Sequence, residues 1–213
     1  MKKMSAVLAG LLMATALSVV SETAANAAPC EGTYTIVVGG TNSTWDNDGF
    51  VGNIQQHVGY PNLIPNGAAA QAGADELNRL VNIQRQQCPG QHVKMGGYSL
   101  GAAAVHIWVT QHGDAFGNVN AVLLADPKRQ GGPGASGSTD VWGVVGAPLA
   151  GVDRFFGGVP VKSICNWDYI CDVSAPIHEY PHAHIVNYDF DRNMDNHNDS
   201  AHEQWYNRAW FPW

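Results

Sequence analysis

The feature that most constrains the fold is an alternation of strand-like and helix-like segments in the middle of the chain. "HVKMGGYS" and "NAVLLADP" are short apolar runs of the kind that form buried strands, and the alanine-rich run from Leu100 to Thr110 between them predicts a helix. Strands that alternate with helices are joined by right-handed crossovers and lie parallel. The pattern therefore predicts an α/β fold with a mainly parallel sheet covered on both faces.

The flanking segments extend this pattern. "TYTIVVGGTN" predicts a buried strand that runs into a tight loop, and the spacing of Ala70, Ala74, Leu77 and Val81 predicts a helix over residues 68–87. "VPVKSICN" is interpreted as the last strand of the sheet, and the capping-box spacing in "SAHE" predicts a helix over about residues 201–210. The chain has 213 residues, of which 45% are hydrophobic and 14% charged, which suits one domain with a substantial core.

The first 27 residues are expected to be a secretory signal peptide. Lys2 and Lys3 precede an apolar run from Ala6 to Val20, and Ala25 and Ala27 form an Ala-x-Ala cleavage pattern. We therefore expect residues 1–27 to be removed and residues 28–213 to form a single secreted domain without stable membrane insertion. Without the leader the chain carries 9 basic and 17 acidic residues, which makes nucleic acid a poor partner.

The four cysteines all lie in the part expected to be exported. In an oxidising compartment an even number of cysteines indicates disulfides, and four cysteines allow three connectivities. Five residues separate Cys165 from Cys171, which is enough to close a small loop. No CxxC pair supports a zinc site, and we expect no metal and no cofactor.

A glycine-flanked serine is the main candidate for chemistry. "GYSLG" from Gly97 to Gly101 is a G-x-S-x-G element between a predicted strand and a predicted helix, which is the context that a nucleophile elbow requires. Side chains two residues before and after Ser99 would collide with the neighbouring strand and helix. The turn also directs the backbone amide of Leu100, at the helix N-terminus, towards a developing oxyanion.

A serine nucleophile needs a histidine base and an orienting carboxylate, and for this fold both follow the serine in the chain. Asp168, inside the possible Cys165–Cys171 loop, is the first candidate acid, and Asp172 just outside it is the alternative. The residues themselves leave the base open, because a single stretch contains three histidines: His178, His182 and His184.

With these motifs in order, the chain resembles the cutinase family of secreted serine esterases, which are α/β hydrolases without a large lid. The resemblance is carried by Cys30 before the first strand, by "CPGQHVKMGGYSLG", by "LLADP" and by "CNWDYIC", whose acid loop is one residue shorter than the family pattern. It implies a three-layer α/β-hydrolase sandwich and disulfides between Cys30 and Cys88 and between Cys165 and Cys171.

The resemblance also implies roles for individual residues. Ser99 would be the nucleophile, Asp168 the acid, and His184 in "HIVNY" the base, with His182 kept as the alternative because this element is one residue longer than the family pattern. Thr41 in "VVGGTNS" would supply the second oxyanion donor besides Leu100. No cofactor is implied, and the expected partner of a monomeric enzyme is an ester or lipid substrate.

Other polar residues are interpreted as structural. Asp126 in "LLADP" is expected to serve as a turn or cap residue and His106 to pack on a helix face near the sheet. His57, His92 and His112 are expected to be surface groups, since the sequence identifies no partner for them. The acidic run "DFDRNMDNHNDS" imitates a calcium loop, but Met194 stands where such a loop needs glycine. We therefore expect a solvated loop there.

Three functions remain open from the sequence. The first is a secreted carboxylic-ester hydrolase of cutinase type that acts on short to medium acyl chains, lipid or polyester. The second is an esterase or lipase that acts on mycolate-type lipids of a cell envelope, with which the protein would then be associated. The third is a secreted binding protein that keeps the hydrolase scaffold with an idle site.

Overall fold

The computed structural model describes residues 30–131, 134–138, 157–194 and 203–206. Within these residues, six strands form one sheet. The strands are β1 (Thr33–Val38), β2 (Gln56–His57), β3 (His92–Tyr98), β4 (Val119–Leu124), β5 (Val161–Ile164) and β6 (Glu203–Tyr206). The helices are α1 (Gly67–Gln87), α2 (Leu100–His112), α3 (Tyr180–Val186) and α4 (Phe190–Met194).

The sheet has the order β2-β1-β3-β4-β5-β6, and every neighbouring pair is parallel except β5 and β6. Parallel pairing aligns the carboxyl ends of β1, β3 and β4, since Val38 lies opposite Gly97 and Tyr98 opposite Leu124. In open α/β sheets this edge is where ligands bind. The mainly parallel α/β architecture predicted from the sequence is confirmed.

Two clusters of buried residues cover the two faces of the sheet. On one face α1 and α2 pack on alternate strand residues such as Ile36 and Val38. On the other face Val37 and Val122 pack with Phe50 and with Tyr188 from the C-terminal region. Period-two alternation along the strands therefore produces the layered arrangement.

Helices α1 and α2 lie where the sequence predicts them, with differences of one or two residues at their ends. Helix α1 begins after Asn66, whose side-chain oxygen accepts a hydrogen bond from the amide of Ala69 at 2.8 Å. The first ten residues of α2, Leu100–Val109, are all buried, which accounts for its continuous apolar run.

The prediction of a helix over residues 201–210 is wrong for residues 203–206, the part of that range that the structure describes. Glu203–Tyr206 is strand β6, which pairs antiparallel with β5, so β5 is not the last strand of the sheet. Pairing with an open strand edge outweighs the local capping signal of "SAHE". The solvated loop expected over the calcium-like run is wrong for its first half, where Phe190–Met194 is helix α4 with Met194 buried. The second half of that run and the predicted signal peptide lie outside the described residues.

Two disulfides are present among the described residues. Cys30 pairs with Cys88 and thereby ties the start of β1 to the end of α1, and Cys165 pairs with Cys171 across the loop after β5. Within the same described ranges, no helix is both long and apolar enough to cross a membrane.

Candidate active site

Ser99 lies on the sharp turn between β3 and α2, in a backbone conformation that non-glycine residues rarely adopt. Its φ is 56° and its ψ is −121°, and its amide donates to the carbonyl of Leu124 at 2.9 Å. A residue held in such a conformation costs about 1–3 kcal/mol, which the surrounding structure must supply. Ser99 directly follows the last residue of β3 and precedes the first residue of α2, so it lies at the carboxyl edge of the sheet.

Glycine is needed at the positions around Ser99 because neighbouring atoms leave too little room for a Cβ atom there. A Cβ atom at Gly97 would lie 2.6 Å from the carbonyl oxygen of Gly101, and one at Gly101 would lie 2.0 Å from the carbonyl oxygen of Val38. A Cβ at Gly40 would lie 3.2 Å from the Cβ of Ser99. The loop after β1 therefore packs directly against the turn that carries the serine.

His184 lies within hydrogen-bond distance of Ser99. Its Nε2 is 3.0 Å from the Oγ of Ser99, and its Nδ1 is 2.6 Å from the Oδ2 of Asp168. The side chain of Asp168 is fully buried and that of His184 is 10% exposed. Serine, imidazole and carboxylate thus form one continuous hydrogen-bonded chain.

The loop closed by the Cys165–Cys171 disulfide holds Asp168 in place. The Oδ1 of Asp168 accepts a hydrogen bond from the amide of Ile170 at 3.0 Å, and the backbone carbonyl of Asp168 accepts one from the amide of Asp172 at 2.9 Å. The neighbouring Asn166 exchanges two side-chain-to-backbone hydrogen bonds with Asn187, at 2.7 and 3.0 Å. These two bonds tie the acid loop to the segment that follows α3.

Tyr188 is a site residue that the sequence analysis did not identify. Its hydroxyl donates to the Oδ2 of Asp168 at 3.1 Å, the same oxygen that faces His184, and the side chain is buried. Burial raises the pKa of Tyr188 well above its usual value, and the negative charge of Asp168 raises it further. Tyr188 therefore remains a protonated donor to the carboxylate.

Two further tyrosines enclose the imidazole. The ring of Tyr98 stacks on His184 with centroids 4.9 Å apart, and the ring of Tyr180, one helical turn before His184 in α3, lies 5.0 Å away. The hydroxyl of Tyr98 also donates to the backbone carbonyl of His184. Aromatic contacts on both sides fix the orientation of the ring.

The alternative site residues lie elsewhere. His182 and His178 are exposed, and His178 makes only a 3.5 Å contact with Glu179. Asp172 does not contact His184: its Oδ1 accepts hydrogen bonds from the amides of Ala135 and Ser174 at 2.8 and 2.9 Å. Asp172 thus holds the described segment 134–138, to which Ala135 belongs.

The loop from Gly39 to Ser43, which we call the oxyanion loop after the role that the sequence analysis expects for it, carries Thr41. Asn62 holds this loop, because its side-chain amide donates to the carbonyls of Gly40 at 3.1 Å and Ser43 at 2.8 Å. Thr41 itself is exposed, and Leu100 is buried at the first position of α2. No local sequence pattern points to Asn62, because it lies about twenty residues along the chain from the loop it holds.

Two expectations about histidines need correction. His57 is paired with Asp48 at 2.6 Å, and His92 faces the side-chain oxygens of Asn118 and Asn120, each at 2.8 Å, so neither histidine lacks a partner. These partners come from separate segments of the chain, which local sequence patterns do not reveal.

Asp126 is more than a turn residue. Its Oδ1 accepts the amide of Lys128 at 2.8 Å, as a turn residue does, but its Oδ2 also pairs at 2.6 Å with His106 of α2. Both side chains are buried. The structure therefore contains a second buried histidine–aspartate pair, which links the end of β4 to α2.

Fold and site together define an α/β hydrolase. The family model of Cutinase matches residues 25–195, which is most of the chain, and the protein belongs to the cutinase family. Cutinase membership supports an esterase or hydrolase function.

A solved structure of "a novel cutinase-like protein from Cryptococcus sp." is similar to the chain, with 20% sequence identity and a TM-score of 0.50. The similarity covers 76% of this chain and 94% of that one, and at this identity it supports the fold alone. No curated protein matches the chain.

Proposed function

We propose that the protein is a secreted serine esterase that hydrolyses carboxylic esters through an acyl-enzyme. One observation carries the proposal: the hydrogen-bonded chain from the Oγ of Ser99 through both nitrogens of His184 to the carboxylate of Asp168. An idle scaffold has no need to hold a histidine within 3.0 Å of the serine.

The geometry supports a specific role for each group. His184 takes the proton of Ser99 as its Oγ attacks the ester carbonyl, and Asp168 holds the Nδ1–H tautomer and stabilises the imidazolium that forms. The same histidine then protonates the departing alcohol. In the second half of the reaction His184 activates water, which releases the carboxylic acid and restores the serine.

The amides of Leu100 and Thr41 are proposed to bind the oxyanion. Leu100 is the first residue of α2, where backbone N–H groups have no partner within the helix and the helix dipole favours negative charge. Thr41 lies in the oxyanion loop, which packs against Ser99 at Gly40. Such pre-oriented donors act on the charge that develops in the transition state.

Exposed apolar side chains next to the site favour an apolar acyl group. Ile185 and Val186 follow His184 directly and are 72% and 61% exposed, and Trp167, beside Asp168, is 63% exposed. An apolar patch of this kind marks a surface that contacts lipid or another apolar partner. This observation also keeps open the second candidate function, an esterase for cell-envelope lipids of mycolate type.

The remaining parts of the proposal concern the whole protein. We propose that residues 1–27 are a signal peptide, that residues 28–213 form one domain, and that the secreted protein is a monomer that needs no cofactor. N-terminal sequencing of protein recovered from the medium tests the cleavage site. A mature N-terminus near Ala28 is expected.

Hydrolysis of p-nitrophenyl esters from acetate to palmitate tests the activity. Ser99→Ala is expected to lose at least about 10⁴-fold in kcat, because the nucleophile is gone, whereas the exposed Ser174→Ala is expected to retain the wild-type rate. An optimum at short or medium chains favours a cutinase-type substrate, and an optimum at long chains favours lipid. A folded protein with both disulfides and no turnover on any ester would contradict the proposal.

A further inference from the structure

A cavity of about 630 Å³ opens beside the oxyanion loop. Its wall includes Gly39 and Ser43 of that loop, His57 at the end of β2, and Tyr60 and Asn62 from the segment that follows. Its volume is in the range of sites that hold small molecules. None of the roles proposed above for the serine, the histidine and the carboxylate uses this cavity.

The cavity lies on the oxyanion loop, which packs against Ser99, although Ser99 itself does not line the cavity. Gly39, in its wall, is followed by Gly40, which packs against Ser99. His57 lies opposite Val37, and Val37 lies opposite Gly96 of β3, so His57 is two strands from the strand that carries the nucleophile. At the usual strand spacing this places His57 about 10 Å from Gly96, and Ser99 follows three residues later, so the alcohol part of an ester at Ser99 must extend beyond about 10 Å to reach His57.

A buried carboxylate orients His57 at the cavity wall. Asp48, whose side chain is 4% exposed, accepts the Nδ1–H of His57 at 2.6 Å and the amide of Phe50 at 3.0 Å. Because Nδ1 is used in this way, Nε2 is the ring nitrogen available to a ligand. No hydrogen bond joins it to any described residue. The imidazole is thus a pre-oriented polar group at the cavity.

The other lining groups are aromatic or neutral. Trp45 is 76% exposed at the cavity. The side-chain amides of Gln56 and Asn62 donate to backbone carbonyls of the protein, and their side-chain oxygens have no hydrogen-bond partner among the described residues, so they can accept from a ligand. No lysine or arginine lies among the lining residues, so an anionic ligand would find no counter-charge there. An exposed aromatic face beside neutral hydrogen-bonding groups suits a ligand with apolar C–H faces and several hydroxyls.

We propose that this cavity binds the alcohol part of the substrate and that this alcohol is a polyol such as a sugar. The inference rests on the proposed function, since it places an ester across Ser99. The Oγ of Ser99 forms a bond to the acyl carbon, the bond between that carbon and the alcohol oxygen breaks, and the proton passes through His184 to the alcohol oxygen. The polyol then leaves from the cavity while the acyl group stays on the serine.

A pair of esters with one acyl chain tests the specificity. Sucrose monooctanoate and methyl octanoate present the same acyl group with and without a polyol. Trp45→Ala is expected to lower kcat/KM for the sucrose ester about three- to tenfold, the usual range for one aromatic contact, and to leave the methyl ester within about twofold. Trp45→Phe should restore most of the loss. Val51→Ala is a matched control, because Val51 is exposed on the same loop but does not line the cavity.

Direct binding separates this inference from the esterase proposal. Sucrose is titrated into Ser99→Ala protein, and the indole N–H signal of Trp45, assigned by its loss in Trp45→Ala, is followed by NMR. A saturable shift of that signal supports the site even if no ester is hydrolysed, in which case only the esterase proposal fails. Equal losses on both esters in Trp45→Ala, or an unmoved indole signal at saturating sucrose, would overturn the inference.

Discussion

Replacing Gly101 by alanine probes how the turn around Ser99 is built. The added Cβ would lie 2.0 Å from the carbonyl oxygen of Val38 and 2.4 Å from that of Gly39. Ordinary contact begins near 3.4 Å, and both obstacles are backbone, so α2 must move away from the end of β1 by more than about 1 Å. That movement separates the serine turn from the oxyanion loop.

Two effects of opposite sign decide the stability of Gly101→Ala. Alanine in place of glycine stabilises a helix by about 1 kcal/mol, whereas overpacking a core costs about 1–3 kcal/mol. Because the contact is with backbone and cannot be relieved by a rotamer change, we take the upper end of that cost. The free energy of unfolding should fall by about 2 kcal/mol, which lowers Tm by about 4–8 °C.

The loss in kcat should be larger than the loss in the free energy of unfolding would cause by itself. A displacement of about 1 Å between reacting groups costs on the order of 100-fold in rate, and kcat of Gly101→Ala on p-nitrophenyl butyrate is expected to fall by that factor. Gly117→Ala is the matched control, because nothing lies within 4 Å of the position a Cβ would take there. If Gly101→Ala has the same Tm and the same kcat as Gly117→Ala, the reasoning is refuted.

The remaining predictions concern the acid and its surroundings. Tyr188→Phe removes a hydrogen bond to the Asp168 carboxylate and should lower kcat about tenfold with KM unchanged, and a rise in KM alone would argue against a positioning role. Opening the Cys165–Cys171 loop with a double serine variant should lower the unfolding free energy by about 2 kcal/mol, measured in urea. Burial, together with nearby negative charge, raises the pKa values of Tyr188 and Tyr98, so these groups stabilise the fold below pH 10 and lose that contribution as pH rises above it. Ultraviolet titration should therefore show both phenols ionising only with unfolding.

Much of the fold follows from local patterns, because the signals for β1, α1, β3, α2 and β4 lie within single runs of sequence. Strand β2 has two residues and no pattern of its own, and β6 forms by pairing with β5. The energy of such pairing comes from residues distant in the chain, so it leaves no mark on the local sequence.

Part of the candidate site could be predicted in the same way. The glycines of "GYSLG" signal a sharp turn, and the cysteines around Asp168 signal a rigid loop. Local sequence leaves the base open between neighbouring histidines because it does not reveal helix α3. In that helix His182 is exposed and His184 is buried. The hydroxyl of Tyr188 and the amide of Asn62 act across the fold, which is why the sequence alone did not identify them.

Labelling with a fluorophosphonate tests the central claim most directly. An activated serine attacks this reagent, and mass spectrometry of the digested protein locates the adduct. We predict one adduct on Ser99 in the wild type, none in Ser99→Ala, and at least about 100-fold slower labelling in His184→Ala, which lacks the base but keeps the serine. A folded, disulfide-intact wild type that is not labelled at Ser99, or that is labelled equally fast without His184, would contradict the account.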